Sequence, residues 1–301
     1  SPHRPVSCWA AWTRDDTLIS MSTVSDERME PALHALLGGD TAGLRVALDA
    51  DHELVDAVWN GNTLLEWATQ PPHDIDPACI DVLIAASASL DRALGLAGCW
   101  NLAELCTRLI AAGADPTSLC DETSPITPLE SAAMHGSTRS ADVLVEHGLH
   151  RPTLWLAAAT GQLELVTEWV SGTGDLLESP GPYRPIWSHV GRPEAPPPDD
   201  DHEQIIGEAL TFAALNDRLE AVDYLLDVGV PIDTAPYRGI TSLHFAVQYA
   251  KLDMVDHLVA CGASLEARDH EWNSTPRRWA EVCVDESSER RAILDTLSSV
   301  T

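Results

Sequence analysis

The residues that could do chemistry in this chain are scattered rather than gathered into a signature. His135 follows Glu130 closely, with Asp121 and Glu122 just upstream, and a histidine near a carboxylate can move a proton at neutral pH. An acidic, solvated surface carries the same residue types, and among 47 acidic residues no single one stands out. Asp199, Asp200 and Asp201, followed by His202 and Glu203, offer oxygen ligands for weak cation binding; a solvated loop is the plainer reading. The seven cysteines, Cys8, Cys79, Cys99, Cys106, Cys120, Cys261 and Cys283, form no C-x-x-C pair. They read as reduced thiols of a cytoplasmic protein, with no metal site. Lys251 is the only lysine, which argues against Schiff-base chemistry. The chain has no G-x-G-x-x-G, G-K-[ST], G-x-S-x-G or H-E-x-x-H. No cofactor is expected. Any reaction would be cofactor-free, such as proton transfer, isomerisation, elimination or ring closure in a shaped apolar pocket.

The elements that would position these groups are set by composition and repetition. The chain has 301 residues, 45% of them hydrophobic and 22% charged, so it is neither disordered nor fibrous by composition. Its net charge of −29 repels phosphate backbones and anionic lipid, which argues against nucleic acid and membrane surfaces as partners. No uncharged apolar run approaches the roughly 18–20 residues of a membrane span. Residues 1–20 hold Trp9 and Trp12 but no apolar core of signal-peptide length, and Met21 opens a stretch like an ordinary N-terminus. They read as a leader, an upstream extension or a Trp-bearing arm.

Self-comparison shows internal repeats. Thr241-Ser-Leu-His-Phe-Ala246 is followed by Leu252-Asp-Met-Val255, Leu258 and Cys261-Gly-Ala263. Thr127-Pro-Leu-Glu-Ser-Ala132 is followed by Gly136, Val143-Leu-Val145 and His147-Gly148. The cadence returns from Gly61 to Ala68, Leu154 to Val170, Glu208 to Gly229 and Ser274 to Ala280. Each repeat reads as a short helix, a tight turn and a second helix with apolar i, i+3, i+4 spacing, closed by Gly. The pattern resembles the ankyrin repeat, with its T-P-L-H-x-A signature, over roughly residues 29–297. The resemblance implies an all-α solenoid of about eight helix-turn-helix repeats, starting near residues 31, 63, 92, 127, 152, 208, 241 and 275, the first and last degenerate.

The repeat spacing is uneven. The step of about 25 residues from 127 to 152, against a family period of ~33, leaves no room for a hairpin finger. The step of about 56 residues from 152 to 208 carries an insertion at 172–203 with seven prolines, which argues against a packed helix. The expected organisation is a 1–28 extension, repeats over 29–171, the insertion as lid or tether, and repeats plus cap over 204–301. A domain boundary at the insertion is the other reading.

By register with the family, the ends of first helices present Gln70, Trp100, His135, Thr160, Asn216, Gln248 and Tyr249 to a ligand. The fingers present Trp59, Asn60, Tyr237, Arg238, His270, Glu271 and Trp272. His244 takes the family's structural role, bonding near the Thr241 hydroxyl. Trp155, Glu130 and Glu66 are placed at the same repeat position. Trp67 and Trp279 fall on the core side. The resemblance implies a binding protein; the −29 charge favours a protein partner with a basic patch, and a monomer is expected. The alternative is a small-molecule pocket or cofactor-independent enzyme, with Trp100, Trp155 and His135 lining a notch beside the insertion and Glu130 and His135 as acid–base groups.

Overall fold

The computed structural model describes residues 27–71, 74–86, 89–120, 126–147, 152–177, 201–282 and 288–299. The Trp9 and Trp12 segment, Asp121, Glu122, Asp199, Asp200 and the 178–200 part of the insertion lie outside the described residues. The chain divides into two compact units between Leu149 and His150. The division falls at the shortened step between the fourth and fifth repeats.

Among the described residues the fold is all-α, in eight helix pairs. The first unit holds α1 (Glu30–Leu37), α2 (Thr41–Ala50), α3 (Leu64–Trp67), α4 (Pro77–Ala86), α5 (Leu90–Cys99), α6 (Ala103–Ala111), α7 (Pro128–Met134) and α8 (Thr138–Val145). The second holds α9 (Leu154–Ala159), α10 (Leu163–Trp169), α11 (His202–Leu215), α12 (Leu219–Asp227), α13 (Ser242–Gln248), α14 (Leu252–Ala260), α15 (Pro276–Val282) and α16 (Ser288–Ser299). The strand-like features among these residues are isolated bridges, Trp59 with Asn62, Val170 with Leu176 and Tyr237 with Ile240.

Within each unit, successive first helices pack on one another: α1, α3, α5 and α7 in one, α9, α11, α13 and α15 in the other. Second helices are amphipathic and bury one stripe. Leu105 and Leu109 of α6, Val222 and Leu225 of α12, and Met254 and Leu258 of α14 all point inward. Each such side chain contributes roughly 1.5–3 kcal/mol by leaving water. Three first helices of the second unit, α9, α11 and α13, are apolar on nearly every side, and residues 154–160, 205–216 and 241–248 are buried throughout.

Polar contacts between neighbouring pairs supplement this packing. Ser137 Oγ donates to the Cys99 carbonyl at 2.6 Å, at the end of α5. Arg218 Nε donates to the Ala159 carbonyl of α9 at 3.1 Å, and Arg290 to the Gln248 carbonyl of α13 at 3.1 Å. Each satisfies a carbonyl left without an intrahelical partner, and the two arginines place positive charge at the negative end of a helix. One boundary departs from the sequence reading. Asp201 is the N-cap of α11, its side chain accepting from the Gln204 N–H at 3.2 Å, so His202 and Glu203 begin a helix rather than end a loop.

Candidate partner-binding surface

The second unit carries a pair of finger tips that hold several of the residues expected at a ligand surface. The first is Tyr237-Arg238-Gly239-Ile240. Arg238 and Gly239 have φ of 47° and 70°, so a two-residue tip with both φ positive joins the bridge partners Tyr237 and Ile240. Arginine is an unusual residue at positive φ. Its side chain and backbone are both held: the guanidinium lies 2.5 Å from Glu271 Oε2 and 5.1 Å from the Tyr237 ring centre, and its carbonyl accepts from the His270 N–H at 2.8 Å. Gly239 is required by closeness as well as by φ, since a Cβ there would stand 2.6 Å from the His270 ring.

The second tip, residues 269–274, is organised by a buried carboxylate. Asp269 Oδ1 accepts from the N–H groups of Glu271 at 2.9 Å and Trp272 at 2.7 Å; Oδ2 accepts from the Ser274 N–H at 3.0 Å and Trp279 Nε1 at 3.1 Å. Burial pushes this carboxyl up, but the donated hydrogen bonds prevail and hold it below its ordinary value. Trp272, 48% exposed, stands edge-on to the buried Trp279 with ring centres 5.6 Å apart. His244 meets the same Trp279 at 5.1 Å. Its Nδ1 accepts from the Thr241 N–H at 3.3 Å and lies 2.9 Å from the Thr241 hydroxyl. Nε2 therefore carries the proton and donates to the Ser274 carbonyl at 3.2 Å. Burial pushes this imidazole down, opposed by the Ser274 bond and the charges of Asp269 and Asp233, so it stays neutral. The histidine that could pass for a catalytic base is thus a strut between α13 and the last tip.

The residues expected at a ligand surface separate into exposed and buried sets. His270, Glu271 and Trp272 are exposed and sit together on the two tips, while the Arg238 side chain is only 9% exposed against Glu271. Tyr237 is buried beneath them. Thr160, Asn216 and Gln248 are not on a surface: they are buried at the ends of α9, α11 and α13. Thr160 Oγ donates to the Leu156 carbonyl at 2.7 Å and Asn216 Nδ2 to the Phe212 carbonyl at 3.0 Å, so both serve their own helices. Tyr249 is half-buried and stacks on Phe245 with ring centres 6.5 Å apart.

In the first unit, Trp59 is half-buried, its carbonyl accepting from Trp67 Nε1 at 3.0 Å. Gln70 and Trp100 are half-buried, and Asn60 is exposed at φ 49° beside Gly61. Glu130 is committed to the start of α7, accepting from the Thr127 N–H at 2.7 Å and hydroxyl at 3.0 Å. His135 ends that helix, its Nδ1–H donating to the Ser131 carbonyl at 2.6 Å.

Trp155 corrects the register. Thr153, not Pro152, is the N-cap of α9, so the position held by Glu66, Glu130 and His244 in other pairs belongs here to Leu156. Trp155 falls one residue earlier, is 5% exposed, and packs on Phe212 of α11 with ring centres 4.7 Å apart. Trp100 and His135 belong to the first unit and Trp155 to the second. Sequence reasoning missed Asp269 and the Arg238–Glu271 pair. An Asp whose side chain can take the N–H groups two and three residues on is a legible turn signal; the pairing across two tips is not.

Three comparisons bear on this geometry. Residues 190–269 match the family model described as Ankyrin repeats (3 copies). Potassium channel AKT2/3 of Arabidopsis thaliana is 26% identical over 165 residues, 55% of this chain and 18% of that protein. The chain therefore spans less than a fifth of that relative's length. The crystal structure of the human ASB11 ankyrin repeat domain is 18% identical, with a TM-score of 0.39, covering 88% of this chain and 97% of that one.

Proposed function

The chain carries ankyrin repeats, and from that premise we propose that it is a binding module for a protein with a basic patch, engaged through the finger tips at 237–239 and 269–273. Repeats of this family are in general protein-interaction modules. The observation that carries the tip assignment is Trp272, nearly half exposed on a backbone fixed by Asp269 and seated against Trp279. A rigid, exposed aromatic offers contact area at little entropic cost, the property of an interface anchor. The −29 charge selects a basic partner and speeds its approach at low salt. Exposed Glu266 supplies negative charge between the last two helix pairs, whereas Glu281 is paired with Arg277 and Arg278.

The small-molecule or enzymatic reading is not favoured. Its acid–base groups, Glu130 and His135, are both engaged in bonds that hold α7, and its Trp155 is in the interior.

The test is affinity capture with immobilised full chain at low and high salt, comparing wild type with Trp272→Ala and with Val46→Ser, an exposed change in the first unit. A basic protein held at low salt, released at high salt, and weakened at least tenfold by Trp272→Ala but not by Val46→Ser is the expected result. Capture that ignores Trp272→Ala removes the tips from the reading.

A further inference from the structure

Two residues before a buried alanine, α3, α7 and α13 carry Glu66, Glu130 and His244. The same place in α5, two residues before Ala97, is Gly95. Its missing side chain is replaced from elsewhere. A Cβ on Gly95 would stand 2.6 Å from Cys120 Sγ and 3.1 Å from Cys120 Cβ. The Cys120 thiol therefore lies directly on α5, and its backbone is fixed by an N–H bond to the Ile126 carbonyl at 2.8 Å.

Cys99 lies four residues beyond Gly95, on the same face of α5 and one turn along, where side chains are neighbours at about 5–6 Å. Neither cysteine is in a disulfide, and both are half-buried. Burial pushes the Cys99 thiol up to about 12, the Cys120 charge adds to this, and a hydrogen bond with Ser131 opposes it.

We propose that Cys99 and Cys120 are an oxidisable pair that closes to a disulfide when the protein meets a hydroperoxide, tying the segment at Cys120 to α5. Closing the bond requires the two Cβ atoms to come within about 3.5–4.5 Å, by rotation of the Cys120 side chain from Gly95 along α5 towards Cys99.

The order of events follows from the two environments. Thiolate is the nucleophile, so Cys99, held protonated by burial, does not react first. Cys120 thiolate attacks the O–O bond of hydrogen peroxide; its sulfur takes one oxygen as sulfenic acid, and the other leaves as water. Cys99 sulfur then displaces that hydroxyl. The S–S bond forms, the S–O bond breaks, and the Cys99 proton departs with the hydroxyl as a second water. Two thiols and one hydrogen peroxide become one disulfide and two waters.

The experiment uses the full chain, with the wild type deciding the outcome and Cys99→Ser as control. The chain is treated with hydrogen peroxide, remaining thiols are alkylated, and a non-reducing digest is read by mass spectrometry. The exposed Cys261 reports that oxidant was delivered. The expected result is a peptide pair joining Cys99 to Cys120, reversed by dithiothreitol and absent from Cys99→Ser. Full alkylation of Cys99 and Cys120 in a sample whose Cys261 is oxidised overturns the proposal. So does a bridge from Cys120 to Cys106, or sulfinic acid on Cys120 with no bridge.

Discussion

A threonine at the start of a first helix does different work depending on the residue three places on. Thr63 with Glu66, Thr127 with Glu130 and Thr241 with His244 each close a reciprocal cap. Thr153 faces Leu156, which has no group to return the bond, and its hydroxyl oxygen is buried without a partner. The two threonines should therefore respond oppositely to loss of the hydroxyl. Thr127→Val should cost about 1 kcal/mol by stranding N–H groups at the helix start. Thr153→Val should be neutral or slightly stabilising, because an unpartnered buried hydroxyl contributes nothing to keep. Urea midpoints of the two variants decide it, and equal losses would contradict the cap assignment. His244 adds a pH dependence. Its value is depressed in the folded chain relative to about 6.5 when unfolded, so its contribution is full above about pH 6.5. That contribution is lost as pH falls towards the folded value, where the proton on Nδ1 would oppose the Thr241 N–H. The stability gap between wild type and His244→Gln should be largest near pH 8 and shrink below about pH 6.5. A gap that is flat between pH 8 and 5.5 would contradict the neutral tautomer.

At the level of elements, the close approach of first helices depends on small residues. In α5, a Cβ on Gly98 would stand 2.9 Å from the Pro128 carbonyl oxygen at the start of α7. Glycine to alanine inside a helix ordinarily stabilises by about 1 kcal/mol through propensity. Here the two helices would have to separate, and overpacking of that kind costs roughly 1–3 kcal/mol. Gly98→Ala should therefore destabilise on balance, read as a lower thermal midpoint; a rise would mean that α5 and α7 have slack between them. The finger tips follow the same logic of local permission and distant support. Positive φ at Arg238 is unfavourable by itself and is sustained by Glu271, His270 and Tyr237.

For the whole molecule, charge dominates. A chain of net −29 repels itself in every compact state. Raising sodium chloride from about 10 mM to about 150 mM shortens the Debye length from about 30 Å to about 8 Å, and should raise the thermal midpoint by a few degrees. Partner binding should respond to the same change in the opposite direction, because its attraction is screened. A midpoint that falls with salt would place ion pairing ahead of self-repulsion. Among the described residues, no helix is long and apolar enough to cross a membrane.

What the amino-acid order determined by itself is what neighbours along the chain settle. The helix pairs near 31, 63, 127 and 241 were legible, because their bonds join residues three or four apart, and the structural role of His244 followed from the family resemblance. Tertiary structure alone decided which polar helix ends are covered. Spacing places Thr160, Asn216 and Gln248 on one face, but only packing determines whether that face meets water, and here it does not. It also decided the one-residue shift that sends Trp155 onto Phe212, and the pairing of Arg238 with Glu271 from the next tip. Local hydrogen bonds are written in short spacings, whereas burial and pairing depend on what distant segments bring into contact.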